Sequence, residues 1–141
     1  MPQGPDNPAT ISVLLIDGNT ADRTYFADYL KDRSPEYHIF EATDGRTGLA
    51  RYRSRLVDCV VIAVDLPDQS GFEVLVQLVP VASRPNVAVI ILARHAFRGV
   101  HEIAMENGAQ AFLVKQFMSG DDLDSAIRHA IAQVRQIPEE D

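Results

Sequence analysis

The chain alternates between short apolar runs and longer stretches whose apolar residues return every third or fourth position. Apolar runs occupy Ile11–Ile16 (ISVLLI), 59–64 (CVVIAV), 87–92 (VAVIIL) and 110–114 (QAFLV). Runs this continuous describe strands buried on both faces, as in a parallel sheet. One more strand, Tyr37–Ala42, alternates instead, with Tyr37, Ile39 and Glu41 set against His38, Phe40 and Ala42. Helical spacing fills the gaps. Thr20–Arg33 carries Tyr25, Phe26, Tyr29 and Leu30, and Ser34-Pro35 breaks it. A short helix over 46–53 sets Leu49, Ala50 and Tyr52 inward and leaves Arg51, Arg53 and Arg55 wet. Gly71–Leu78 follows Ser70, whose S-x-x-E spacing to Glu73 predicts a capping box. A helix over 98–107 ends at Gly108, and a last one over 119–136 presents Leu123, Ile127, Ala130, Ile131 and Val134. Ser119 caps that helix and Asp121 and Asp122 load its first turn with acid.

Five strands therefore alternate with five helices through short loops, the pattern of a single doubly wound α/β domain. The domain is expected over 10–136. Residues 1–9, with three prolines and one glycine, read as a disordered lead-in, and 137–141 as an acidic tail.

Charge narrows the function. Thirteen basic and twenty acidic residues give a net −7, with no basic run, so neither nucleic acid nor an anionic membrane is expected as a direct partner. No apolar run reaches the ~18 residues of a membrane span, and the N-terminus lacks a signal-peptide core. The single Cys59 sits in an apolar strand and cannot form an internal disulfide. A cytoplasmic setting is expected. His38, His95, His101 and His129 do not fall at metal-ligand spacing; His95 alone lies beside the loop that follows the fourth strand.

The most informative stretch is 57–72, VDCVVIAVDLPDQSGF: a buried strand, a turn, then a helix start. Open α/β sheets place their chemistry beyond such strand ends. This stretch resembles the third strand and following loop of the receiver domain of bacterial response regulators. The resemblance extends over about 11–135 and includes Leu66-Pro67 and Ser70-Gly71-Phe72 as well as the run GAQAFLVK ending at Lys115. It implies a flavodoxin-like five-stranded parallel sheet of order 2-1-3-4-5.

The resemblance also implies a set of chemical roles. In the family a carboxylate at the end of strand three accepts a phosphoryl group from a kinase phosphohistidine. Acidic side chains hold Mg²⁺, a lysine and a hydroxyl grip the transferred group, and an aromatic residue on strand five follows the hydroxyl. Pro67 and Gly71 fix the register, and they place Ala63 at the acceptor position. The pair of acids after strand one is reduced to Asp17-Gly18, the hydroxyl position is Ala93, and the lysine is kept as Lys115. The switch aromatic is Phe112. Gln116 stands where the family often has proline, so its bond to Lys115 is expected to be trans. No catalytic residue, metal or other cofactor is expected; Asp17 and Asp65 are only weak candidates for Mg²⁺.

The reading that follows is a degenerate receiver, or pseudo-receiver. It would work in a two-component or phosphorelay pathway by docking a histidine kinase or another signalling protein. A homodimer through the fourth helix, fifth strand and fifth helix is a further option, with Arg94, His95, Arg98 and His101 facing Asp121 and Asp122 around Phe112. Two alternatives remain: a receiver phosphorylated at a displaced acceptor, Asp65 or Asp17, and a sensor that binds a small anion at Lys115. Asp65 is a poor substitute for position 63, since same-face residues two apart lie about 6.5 Å apart along a strand. A simple Asp17–Lys115 ion pair is the plainer role for those two residues.

Overall fold

The structure is a computed structural model that describes residues 10–136. The elements run β1 (Ile11–Ile16), α1 (Thr20–Arg33), β2 (Tyr37–Ala42), α2 (Gly45–Arg53), β3 (Cys59–Ala63), α3 (Gly71–Leu78), β4 (Ala88–Ala93), α4 (Val100–Glu106), β5 (Ala111–Val114) and α5 (Gly120–Arg135). All strands pair in parallel in the order β2-β1-β3-β4-β5. The expected lead-in and acidic tail lie outside the described residues.

The alternation of side chains along the inner strands sorts the core into two layers. Val13, Leu15, Cys59, Val61, Ala88, Ile90 and Leu92 meet α1 and α5 through Phe26, Leu30, Leu123, Ile127 and Ile131. Leu14, Ile16, Val60, Ile62, Val89 and Ile91 meet α2, α3 and α4 through Leu49, Val74, Leu75, Leu78 and Ala104. Burial pushes the Cys59 thiol up, so it stays protonated and inert. No described helix is long and apolar enough to cross a membrane.

The structure shifts several sequence expectations. β3 ends at Ala63, one residue early, and β4 is displaced by one, so Ala93 closes the strand. α4 is shorter at both ends, and Ala50 of α2 is exposed, because buried Gly48 and Leu49 fill the inward side. A turn of 3-10 helix, Lys115–Phe117, follows β5 directly. The capping box forms at Ser119 and Asp122 rather than at Ser70. Ser70 Oγ accepts from Phe72 N–H at 3.1 Å, while Gly71 N–H donates to the Val64 carbonyl at 2.8 Å and draws the loop shut. Gly71 is needed for that closure, because a Cβ there would lie 2.3 Å from the Ala63 carbonyl oxygen.

A polar seam ties α5 to α1 and β2. The Tyr29 hydroxyl donates to Asp121 and the Tyr37 hydroxyl to Asp124. Arg128 adds a 3.0 Å bond to Asp124 from Nε, and Arg33 lies 3.5 Å from Asp121 and 3.6 Å from Asp124. Asp124 is buried. Burial alone would raise its carboxyl, but the Tyr37 hydroxyl, the Arg128 guanidinium and the charge of Arg33 outweigh burial and hold it below the ordinary carboxylate value.

Removing the hydroxyl in Tyr37→Phe is expected to cost about 1.5 kcal/mol in urea denaturation, the low end for a bond to a charged group, because Asp124 keeps its arginines. A carboxyl depressed in the folded state adds stability that is complete above its unfolded value and is lost as pH falls through the lower folded value. Wild-type protein should therefore lose more stability than Asp124→Asn on acidification below about pH 5. Parallel stability curves for the two would refute the assignment.

Candidate functional site

The C-terminal ends of the strands gather the positions singled out by the sequence. Asp17 follows β1 and extends its ladder, donating its N–H to the Ala42 carbonyl at 3.0 Å. Its side chain is buried, and both oxygens have partners. Oδ1 accepts from Asn19 N–H at 2.9 Å, and Oδ2 lies 2.7 Å from Lys115 Nζ. No well-aligned hydrogen bond reaches that Oδ2, so its contact with the ammonium is ionic rather than directional.

Lys115 has a second carboxylate. Asp22, in the first turn of α1, accepts from Nζ at 2.9 Å through Oδ2. Arg23, the next residue, turns another way: it donates to the Asp17 carbonyl at 2.9 Å and to Glu41 at 3.0 Å. The Asp17–Lys115 pair expected from sequence is thus one arm of a fork whose other arm is Asp22. Nothing in the sequence singled Asp22 out, since an acid in a first helical turn reads as compensation for the helix dipole.

The remaining positions are spent on packing. Ala63 and Ala93 are each 3% exposed and bring only methyl groups to the strand ends. Gly18 is exposed, but a Cβ on it would meet the Pro67 ring at 3.1 Å and the Thr43 carbonyl at 3.3 Å, so the β3–α3 loop sits over the space a side chain would use. The cavity that Asp17 shares with Leu15, Arg23, Phe26, Val61 and Leu92 is about 10 Å³, close to the least that admits one water. The Lys115–Gln116 bond is trans.

Asp65 lies past the end of β3, exposed, in an isolated bridge with Ser70. Asp68 is bound to backbone. Its carboxylate accepts from Gly45 N–H at 2.8 Å and Arg46 N–H at 3.0 Å, and these two amides hold it below the ordinary carboxylate value. With Asp44 bonded to Thr47 N–H at 2.7 Å, two acids cap the start of α2.

This donor set does not fit Mg²⁺. Both Asp17 oxygens are engaged, positions 18 and 63 offer no carboxylate, and a cation that prefers six oxygens would have to displace Lys115 from Asp17 and Asp22. Among the described residues no three of His, Cys, Asp and Glu gather at metal-binding distance.

The expected docking positions lie on α4 and the loop before it, on β5 and at the start of α5. Arg94, His95, Arg98, His101, Asp121 and Asp122 are exposed, and Phe112 is half-buried against His101, ring centroids 5.9 Å apart. The two acids are engaged at home, however. Asp122 accepts from Ser119 N–H at 2.8 Å, and Asp121 accepts from Tyr29. Arg94 and Arg98 form no ion pair among the described residues.

Removing the ammonium in Lys115→Ala leaves the buried Asp17 charge unpaired. Equilibrium urea unfolding should show a loss of about 3–5 kcal/mol. A loss below about 1 kcal/mol, the scale of an exposed pair, would mean that solvent already screens the fork.

Comparison with known proteins agrees with the fold. The model of the response regulator receiver domain matches residues 13–128. The transcriptional regulatory protein UhpA of Salmonella typhimurium is 34% identical over 122 residues, which cover 86% of this chain and 59% of UhpA. The chemotaxis protein CheY of Listeria monocytogenes is 27% identical over 115 residues, covering 82% of this chain and 94% of CheY. The chain thus spans about three fifths of one relative and nearly all of the other. Among solved structures, a CheY-like receiver domain protein from Methanospirillum hungatei superposes with a TM-score of 0.77 at 21% identity, covering 91% of this chain and 98% of that one.

Proposed function

The chain belongs to the response regulator receiver family, and we propose that it serves two-component signalling as a phosphorylation-independent module that acts by docking other proteins. The observation that carries this reading is Ala63. A buried methyl group stands where the family's acceptor carboxylate would be. Asp17, which closes β1, is bound to Lys115 through one oxygen and to a backbone amide through the other, and Asp65 lies out past the strand end. Phosphoryl transfer needs a nucleophile in line with the phosphorus and fixed positive charge on its oxygens. Here the nucleophile is missing, and the charge of Lys115 is already neutralised.

Docking through the side formed by α4, β5 and α5 is supported by apolar exposure. Phe97 is 63% exposed and Phe117 74%, with Ile103 and Met105 also open to solvent. Contiguous apolar surface marks interaction sites, and these side chains are candidates to form one. Since Arg94 and Arg98 form no ion pair among the described residues, a partner with acidic side chains fits this face. A histidine kinase or another signalling protein remains the class of partner.

Incubation with Mg²⁺ and a phosphoramidate or acetyl phosphate donor, followed by intact-mass measurement, should show no +80 Da species; that mass is the roughly 80 Da of one phosphoryl group added to a side chain. Incorporation abolished by Asp65→Asn or Asp17→Asn would establish a displaced acceptor and overturn the reading. Reversing charge in Arg94→Glu/Arg98→Glu should weaken capture of the cognate kinase at least tenfold and leave the fold intact, because juxtaposed like charges cost several kcal/mol.

A further inference from the structure

Lys115 follows β5, and Asp17 and Asp22 lie at the end of β1 and in α1. In the sheet order β3 and β4 stand between them, so the lysine reaches across the ends of two strands to find its partners. The strand ends it crosses carry Ala63 and Ala93, which offer it neither a carboxylate nor a hydroxyl. In the chemistry of the family, this lysine answers an anion built on strand three. Here it answers one carried by α1.

We propose that Asp22 takes the place of the phosphoryl anion, and that the Asp17–Lys115–Asp22 fork is an intrachain lock that holds β5 and the following 3-10 turn against α1 in one state. The lock rests on the phosphate-independent reading and names what replaces phosphate. Lys115 likewise stands in for the metal, since its ammonium supplies the positive charge between two carboxylates that would otherwise repel each other.

Three observations carry it. Both distances, 2.7 and 2.9 Å, are those of charge-assisted contacts. The cation most able to compete for Asp22, the neighbouring Arg23, is spent on Glu41 and on the Asp17 carbonyl. Burial is graded: the side chains of Asp17 and Lys115 are 6% and 13% exposed, while that of Asp22 is 38% exposed. The inner arm is therefore a fixed structural pair and the outer arm is the one that can open. A partner that lies on α1 and brings its own basic side chain to Asp22 would release it. Phe112, three residues before Lys115, and Phe117, two after it, belong to the docking side described above, so opening the outer arm is felt there.

Amide spectra of wild type, Asp22→Asn, Lys115→Gln, the double variant and Asp22→Glu test the lock. Asp22→Asn should shift amides over 112–118 as well as those of its own helical turn. Lys115→Gln should shift residues 17–23, and over 112–118 the double variant should shift amides no further than Lys115→Gln alone. Asp22→Glu should restore part of the wild-type pattern. Shifts from Asp22→Asn confined to 19–26, or strictly additive shifts in the double variant, would overturn the lock. If the neutral variants fail to fold, wild type alone decides: a slowly exchanging Lys115 ammonium signal at low temperature supports the lock, and its absence in folded protein refutes it. A separate addition of Mg²⁺ and beryllofluoride to wild type tests the parent reading. Saturable shifts at Ala63 and Ala93 would refute phosphate independence, whatever the coupling between Asp22 and Lys115 proves to be.

Discussion

A carboxylate buried at the end of a central strand has to be neutralised or paired, and Asp17 is such a group. Leaving an ionised carboxylate in a poorly solvated place costs several kcal/mol even after relaxation. Receivers that bind a divalent metal have that cation close by. Here positions 18 and 63 carry Gly and Ala, and the counter-charge comes from Lys115, 2.7 Å away. One ammonium then fixes the relation between the first and last strands of the fold's reactive edge. The rest of the site follows: with Lys115 committed inward, neither a nucleophile at position 63 nor a hydroxyl at position 93 would have a cation to work with.

Acids near this edge are tied to backbone amides. Asp68 sits in the loop that borders a receiver's reactive edge, and it accepts two amides at the start of α2. Pro67 of the same loop closes over Gly18, and Gly71 lets the loop approach the end of β3. A carboxylate with two amide donors stabilises the helix end it caps, whereas clustered carboxylates waiting for a metal repel each other.

The fold was legible because its evidence is periodic. Buried parallel strands print themselves as runs such as CVVIA and AVIILA, and all five strands and five helices were located within one or two residues. The identity of positions 17, 18, 63, 93 and 115 was legible for another reason: Pro67 and Gly71 fix a register, and a register names its missing members as clearly as its present ones. What could not be read were partners set by tertiary geometry. Asp22 is one acid among twenty, and only the path of Lys115 across β3 and β4 gives it a role. Ser70 carries the capping-box signal S-x-x-E, and Ser119 carries S-x-x-D, whose shorter acid falls outside that signal. The pull of Gly71 N–H on the Val64 carbonyl leaves Ser70 bonded to the second amide of α3, and the reciprocal box forms only at Ser119. The acids of α5 looked free because Tyr29 and Arg33 are about ninety residues away in sequence.

These pairings divide the molecule into two unequal sides. α1 and α5 are joined by Tyr29, Tyr37, Arg33 and Arg128 through Asp121 and Asp124, so their polar groups satisfy one another. α4 contributes one fully buried side chain, Ala104, and turns Ile103 and Met105 to solvent. An element with little buried surface opens and shifts more easily than one bound by a polar seam. If the chain signals without phosphate, any change of state is cheapest at α4 and the 3-10 turn beside it, and the tight α1–α5 side is the frame against which that change is made. Among the described residues the Lys115 fork is the charged link between that frame and the turn, and that makes it the place where binding on one side can be felt on the other.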